Sequence, residues 1–172
     1  SCYGEILQQE SAPVLDSIDQ AWKRVLEVLS TKDYNDQKRT AYYEKFQEIR
    51  DGATHCNNVS TLRSFADKAD ALKRRLLDEM ADLDYKREIQ KAEEEARRQA
   101  EEAKQSGNPA PEATVAPAPV KIRKTKNVSI KMMTGTASWR LESKEDIDRY
   151  MDSLRKSLEA QLDEDTIVNV EF

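Results

Sequence analysis

Glycine, histidine and cysteine are scarce in this sequence of 172 residues, which contains four, one and two of them respectively. A phosphate-binding loop needs closely spaced glycines just ahead of a helix. Gly4, Gly52, Gly107 and Gly135 instead lie far apart in the chain. A nucleotide-binding P-loop is therefore excluded within this sequence.

The single histidine, His55, excludes most catalytic sites that depend on a proton shuttle. Neighbouring residues on a helix or turn point apart, so we interpret His55 and Cys56 as ordinary loop or cap residues rather than a dyad. Cys2, His55 and Cys56 also lack zinc-ligand spacing. The acidic triplet at 163–165 lacks the alternating ligands and the glycine of a calcium loop, and is predicted to be a solvated helix end. We predict no catalytic, cofactor-binding or metal-binding residue in this segment, which is therefore not itself an enzyme.

Long apolar runs and disulfide frameworks are also missing. No stretch of 18 apolar residues occurs, which argues against a membrane span. Two cysteines in a chain of this size favour a reducing compartment, so we predict a cytoplasmic location. Because the sequence begins at Ser1 rather than at methionine, we expect it to be part of a longer protein.

The first 105 residues combine many charged residues with apolar residues at helical spacing, which is typical of long amphipathic helices. Charged residues make up 35% of the whole chain. Ser11 is a plausible N-cap of a first helix, in which Pro13 falls in the first turn. Gly52 offers a stop for a second, shorter helix. The apolar residues of these two helices recur at steps of three and four, at Leu15, Ile18, Trp22, Val25 and Leu29, and then at Tyr42, Phe46 and Ile49.

A third and much longer helix is predicted after Asn57 or Asn58. If it extends to Lys104, it spans about 70 Å. Beyond Ile89 its apolar stripe weakens to alanines, so the second half has little to bury. We predict a three-helix antiparallel bundle or coiled coil over residues 1–105, in which the third helix contributes Val59, Leu62, Phe65, Ala69, Leu72, Leu76, Met80 and Leu83 at heptad-like spacing.

The character of the sequence changes after residue 105. Four prolines between Pro109 and Pro119 exclude a helix and favour an extended Pro/Ala linker over 106–119. Apolar and polar residues then alternate from Val120 to Met132 and again over 138–142, on either side of a predicted turn at 134–136. A capping box at Ser143 precedes a helix, and the last residues alternate again. The apolar stripe of this helix contains Ile147, Met151, Leu154, Leu158 and Leu162. Residues 120–172 therefore predict a small α+β domain in the order ββαβ. A domain of this size is expected to need packing against a neighbouring domain for stability.

Charge is distributed unevenly along the chain, although the net charge is only −5. From 113 to 141 there are six basic and no acidic residues, whereas from 142 to the end there are ten acidic and four basic residues. Basic side chains beside a flexible arm can neutralise phosphates without recognising bases. A solvated strand face or a surface for an acidic partner explains the same pattern. The basic strip, defined here as Lys121, Arg123, Lys124, Lys126 and Lys131, is thus a predicted contact for nucleic acid or for an acidic partner.

Two stretches resemble a known family. HCNNVSTLRSFADKADALKRRLLDEM, together with ASWRLESKEDIDRYMDSLRKSLEAQLDEDTIVNVEF at the end of the chain, resembles the C-terminal region of the large P-loop ATPase of BREX phage-defence systems, the BrxC/PglY type. The resemblance implies a very large ATPase that acts with other BREX proteins, among them a methyltransferase and a phosphatase-like protein.

The family's nucleotide-binding motif matches no residue of this sequence. The resemblance therefore implies a non-catalytic segment in a protein that uses ATP elsewhere. We expect this segment to mediate self-association or the docking of other BREX proteins, with DNA contact through the basic strip as the alternative and no contact with membranes.

Overall fold

The chain forms a mainly α-helical structure with a small α/β region at its C-terminal end, which confirms the predicted fold class. The computed structural model describes residues 2–107, 121–133 and 139–172. The chain divides into two compact units, Ser1–Glu79 and Met80–Phe172. The elements are α1 (Cys2–Thr31), α2 (Asp36–Thr54), α3 (Val59–Gln105), β1 (Lys124–Ser129), α4 (Ile130–Met133), α5 (Lys144–Gln161) and β2 (Thr166–Glu171).

Helix α1 begins nine residues before the predicted N-cap at Ser11. Ser11 lies inside the helix, where its hydroxyl donates to the carbonyl of Gln8 at 2.9 Å. Pro13 is also internal and removes one helical N–H donor. Contacts with the start of α3 hold the added turns in place, because the Tyr3 hydroxyl donates to the Asn57 carbonyl and Arg63 forms an ion pair with Glu10 at 2.9 Å. The prediction of a later helix start was wrong because these long-range contacts have no local sequence signal.

The three helices pack in an up-down-up arrangement within the first unit. Helix α2 is antiparallel to α1, since Asp19 pairs with Arg50 while Trp22, further along α1, contacts Phe46 and Tyr43. It is also antiparallel to α3, whose Glu79 accepts a hydrogen bond from the Tyr42 hydroxyl at 2.7 Å. The buried core contains much of the predicted stripes, and its members in this unit are Val14, Ile18, Ala21, Val25, Leu29, Tyr42, Phe46, Ala53, Leu62, Ala69, Leu72, Leu76 and Leu77.

Gly52 does not terminate α2, which continues to Thr54 with His55 as its C-cap. A side chain at Gly52 would place its Cβ only 2.6 Å from the ring of Phe65 on α3. Glycine is therefore needed at this position for close approach of the two helices, and the prediction of a helix stop was wrong. The helix ends two residues later, at Thr54, and the N–H of the C-cap His55 donates to the Asp51 carbonyl at 3.1 Å.

Helix α3 contains 47 residues, which corresponds to about 70 Å and agrees with the predicted length. Its buried residues end at Met80, and every residue from 90 to 105 is exposed. The expectation that the second half has little to bury is confirmed. Strong helix formers stabilise this part of the helix without a packed face.

The α/β region is a βαβ unit rather than the predicted ββαβ. Strands β1 and β2 pair in parallel, with Lys124 opposite Thr166 and Ser129 opposite Glu171. Residues 139–142 are not a strand, because they form the approach to α5: the Trp139 ring packs edge-on against Tyr150, and the Glu142 N–H donates to the Asp146 carboxylate. The first predicted strand also ends earlier than expected, where α4 begins at Ile130.

The domain boundaries at 1–105, 106–119 and 120–172 stay predictions. Most of the proposed linker and the turn at 134–136 lie outside the described residues. Within the described part of the chain, Ser106 donates its N–H to the Glu102 carbonyl and Gly107 adopts a positive φ of 61°. That conformation favours glycine and is common just after a helix ends.

Candidate interaction surfaces

Helix α5 is defined at its start by the predicted capping box. The Ser143 hydroxyl accepts from the Asp146 N–H at 3.2 Å, and the Asp146 carboxylate accepts from the Ser143 N–H at 3.0 Å. Hydrogen bonds from the Glu142 N–H and the Ser143 hydroxyl lower the pKa of Asp146, and Arg149 adds an opposite charge. The cap fixes where the helix begins and therefore which side chains face the sheet.

On one face of the two-stranded sheet, the valine side chains point toward α5. In a parallel pair, opposed residues point to the same side, so Val128, Val168 and Val170 share a face. Lys126 lies on this face too and donates a hydrogen bond to Gln161 of α5. The Ser157 hydroxyl of α5 donates to the Met133 carbonyl at 2.9 Å. These contacts position α5 over the valine face.

The opposite face of the sheet is polar. Asn169 donates to the Asn127 side chain at 2.9 Å and to the Glu171 carboxylate at 2.7 Å. Glu171 is only 7% exposed, which makes it the buried acidic residue of the described chain. The bond between Asn127 and Asn169 joins the two strands and favours a single strand register, because a slip of one residue would break it.

The apolar side chains of the α/β region are incompletely covered. Within 121–133 and 139–172, none of the large apolar residues is fully buried. Ile147 and Met151 lie on the predicted apolar stripe of α5, yet they are 48% and 53% exposed. We call the exposed apolar residues of this region the C-terminal apolar surface: Met132, Trp139, Leu141, Ile147, Met151, Leu162, Ile167 and Phe172.

The basic strip is partly neutralised by carboxylates. Lys121 forms ion pairs with Asp165 at 2.9 Å and Glu164 at 3.4 Å, and these bonds raise its pKa. Lys124 pairs with Asp82 at 2.7 Å. Arg123 and Lys131 have exposed side chains and form no ion pair with any residue that the structure describes. Together with Lys126, which bonds Gln161, the five residues do not form one free cationic surface.

The histidine and one of the two cysteines have structural roles at the end of α2. His55 caps α2 and its Nδ1 lies 2.8 Å from the Asp51 carbonyl, while the Cys56 thiol donates to the Asn58 carbonyl. Cys2 and Cys56 are both free thiols. Over the described ranges, no group of three or more potential ligands is arranged to hold a metal ion. None of the helices described is long and apolar enough to cross a membrane.

Two family models match separate parts of this chain. The model of the BrxC seventh domain matches residues 21–83, which cover most of the helical bundle. The model of the BrxC C-terminal alpha-beta domain matches residues 126–171, which cover the βαβ unit. The chain belongs to the BrxC family. No curated protein and no solved structure gives a significant match.

The two matches fall in the order expected of a BrxC C-terminal region, which confirms the family resemblance. This BrxC chain is accordingly a region of a BREX-associated protein. The two matched segments coincide with the bundle and with the region that contains the C-terminal apolar surface.

Ile147 and Met151 share one stripe of α5, as their spacing predicts, but about half of each is exposed. Periodicity identifies which residues share a face and does not say how much of that face a neighbour covers. The sequence signal for this exposure was size, because a domain as small as residues 120–172 buries little apolar surface by itself. The strand predicted over 138–142 was wrong for a related reason, since alternation over five residues is a weak strand signal.

Proposed function

We propose that this chain is a non-catalytic assembly region of a BREX ATPase, and that the C-terminal apolar surface docks onto another protein. The surface engages another BREX protein or a second copy of the same chain. ATP binding and hydrolysis belong to other parts of the parent protein. This role is consistent with a sequence that has no phosphate-binding loop and with the BrxC domains that match it.

The observation that carries the proposal is the uneven distribution of exposed apolar side chains. Of the eleven large apolar residues that are exposed among those described, eight lie at or beyond Met132. Exposed large apolar side chains concentrated in one small folded region are typical of a protein interface. A parallel sheet normally has both faces and its edges covered by further elements, which this unit does not supply by itself.

The test replaces Ile147 and Met151 by serine in the 172-residue chain. Both side chains are about half exposed, so the expected cost to the fold is within about 1 kcal/mol. We expect the double variant to lose at least about tenfold in affinity for its partner, because two apolar side chains leave the interface. Sedimentation velocity measures self-association, and titration against each purified BREX protein measures hetero-association.

The matched control replaces Asp148 and Glu159 of the same helix by serine. Both are exposed and both lie off the apolar stripe. The control variant is expected to associate as the wild type does. Equal affinities for the wild type, the Ile147/Met151 variant and the control would contradict the proposal, as would a wild-type chain that is monomeric and binds none of the BREX proteins.

A second candidate function is contact with nucleic acid, which Arg123 and Lys131 favour because both are exposed and lack ion pairs with described residues. Phosphate contacts predict salt-sensitive binding without sequence preference. Replacing both residues by glutamate is expected to abolish the mobility shift of a DNA duplex at low salt. Lys121→Glu is expected to reduce DNA binding less than the double variant does, since Lys121 is already paired with Asp165 and Glu164. Absence of any shift by the wild type would rule out this candidate.

A further inference from the structure

A groove between α2 and α3 lies within the first unit, and its lining includes none of the residues used in the proposed function. Its volume is about 600 Å³, and Lys45, Glu48, Ile49, Lys68, Ala71, Leu72 and Arg75 line it. On α3 the lining residues recur at steps of three and four, so they form one stripe over two helical turns. The groove therefore runs along the helices for roughly 10 Å.

The floor of the groove is apolar. Leu72 is 7% exposed, Ile49 is half-buried, and Ala71 is exposed between them. The small side chain of Ala71 permits another backbone or side chain to approach α3 closely at the centre. A floor of this kind accommodates one or two aliphatic side chains rather than a hydrated polar group.

The rim of the groove is cationic. Lys45, Lys68 and Arg75 surround the floor, and Glu48 is the one carboxylate among the lining residues. None of the three cations forms an ion pair with a residue in the described part of the chain. The Lys68 ammonium lies 4.5 Å from the centre of the Phe65 ring, which holds it beside the groove. Because the whole chain carries a net charge of −5, this local excess of positive charge is unusual for the molecule.

We propose that this groove is a docking site for an acidic amphipathic segment of a partner protein. Aliphatic side chains of the segment occupy the floor formed by Ile49, Ala71 and Leu72. Its carboxylates pair with Lys45, Lys68 and Arg75, where electrostatic complementarity fixes orientation and register. The apolar floor favours a peptide over a nucleic acid backbone, which offers phosphates but no aliphatic side chain.

The test measures binding of labelled synthetic peptides to the 172-residue chain by fluorescence anisotropy. The first probe is a helical peptide with a leucine stripe flanked by glutamates. The comparison probes carry lysine in place of glutamate, or serine in place of leucine, and a short DNA duplex is the fourth ligand. We expect the first probe to bind and each comparison probe to bind at least about tenfold more weakly.

Two variants locate the binding to the groove. Lys68→Glu/Arg75→Glu reverses the rim charge, and Ala71→Tyr fills the floor without changing charge. Each of these variants is expected to bind the first probe about tenfold more weakly than the wild type, or more weakly still. The matched control, Arg97→Glu/Lys104→Glu, makes the same charge change at exposed positions of α3 outside the groove and is expected to bind normally.

Amide chemical shifts of the wild-type chain provide a test that needs no variant. Shifts confined to residues 45–49 and 68–75 on addition of the first probe support the proposal. Shifts elsewhere, equal binding of the DNA duplex, or equal loss in the Arg97/Lys104 control would each overturn it. Self-association that disappears in the Ala71→Tyr variant would also overturn it, because the occupant would then be a second copy. The Ile147/Met151 variant should bind the probe normally, which separates this site from the proposed function.

Discussion

Replacing Phe46 by alanine is expected to lower the free energy of unfolding by about 3–5 kcal/mol. Phe46 is 1% exposed and lies at the centre of the bundle, where its ring centre is 5.6 Å from that of Trp22. Truncation removes buried apolar surface and leaves a cavity that the surrounding helices cannot fully close. Because small domains are stable by only about 5–15 kcal/mol, this single change should bring the bundle close to unfolding.

Tyr43→Ala is the control for this prediction. Tyr43 also contacts Trp22, at 5.3 Å between ring centres, but it is 44% exposed. Its loss should cost about 1 kcal/mol, since little apolar surface is newly exposed and no closed cavity forms. Urea unfolding followed by circular dichroism measures both variants. Similar losses for Phe46→Ala and Tyr43→Ala would contradict the assignment of Phe46 to the core.

Tyr42→Phe is expected to change how stability depends on pH. Burial raises the pKa of the Tyr42 hydroxyl above its ordinary value, and the hydrogen bond to Glu79 adds to this effect. The same hydrogen bond lowers the pKa of Glu79, as does the nearby charge of Lys38. Since the Glu79 side chain is 46% exposed, we expect the variant to lose only about 1 kcal/mol at neutral pH.

The sign of the pH dependence follows from these directions. A lowered pKa in the folded state means that the Glu79 contribution is present above its ordinary pKa of 4.5 and is lost as the pH falls below it. A raised pKa means that the Tyr42 contribution is present below its ordinary value of 10 and is lost as the pH rises above it. The difference in unfolding free energy between wild type and variant should therefore narrow at both extremes. A difference that stays constant when the pH falls below 4.5 and when it rises above 10 would show that the hydrogen bond does not contribute.

The helical part of the fold was predictable because its signals are local and repeated. Heptad-like spacing from Leu62 to Met80 identified the buried face of α3, and helix-forming composition identified its extension. The errors arose where a distant contact decided the outcome. Helix α1 begins early because Tyr3 and Glu10 reach the start of α3, and Gly52 lies within α2 because it faces Phe65.

The surfaces were harder to predict than the elements. The basic strip was evident from the sequence, but Lys121 and Lys124 find acidic partners at Asp165 and Asp82, which are far away in the chain. The groove between α2 and α3 had no sequence signal, because Lys45, Lys68 and Arg75 look like ordinary solvated positions beside apolar stripes. Only packing shows which cations share a rim and lack a carboxylate partner.

We propose that the two surfaces of this BrxC region have separate roles in assembly. The C-terminal apolar surface offers non-polar contact area, whose loss on binding is the main source of affinity. The groove on the bundle offers charge selectivity for an acidic segment. The proposal requires that both surfaces stay accessible until the partners bind.

Photo-crosslinking from Met151 in cells that express the complete BREX protein set tests the central claim most directly. A photoreactive amino acid at position 151 lies on the C-terminal apolar surface, whereas the same group at Glu159 lies off the apolar stripe of α5. The account predicts adducts from position 151, identified by mass spectrometry as another BREX protein or a second copy, and few from position 159. Equal adducts from both positions, or none from position 151, would contradict it.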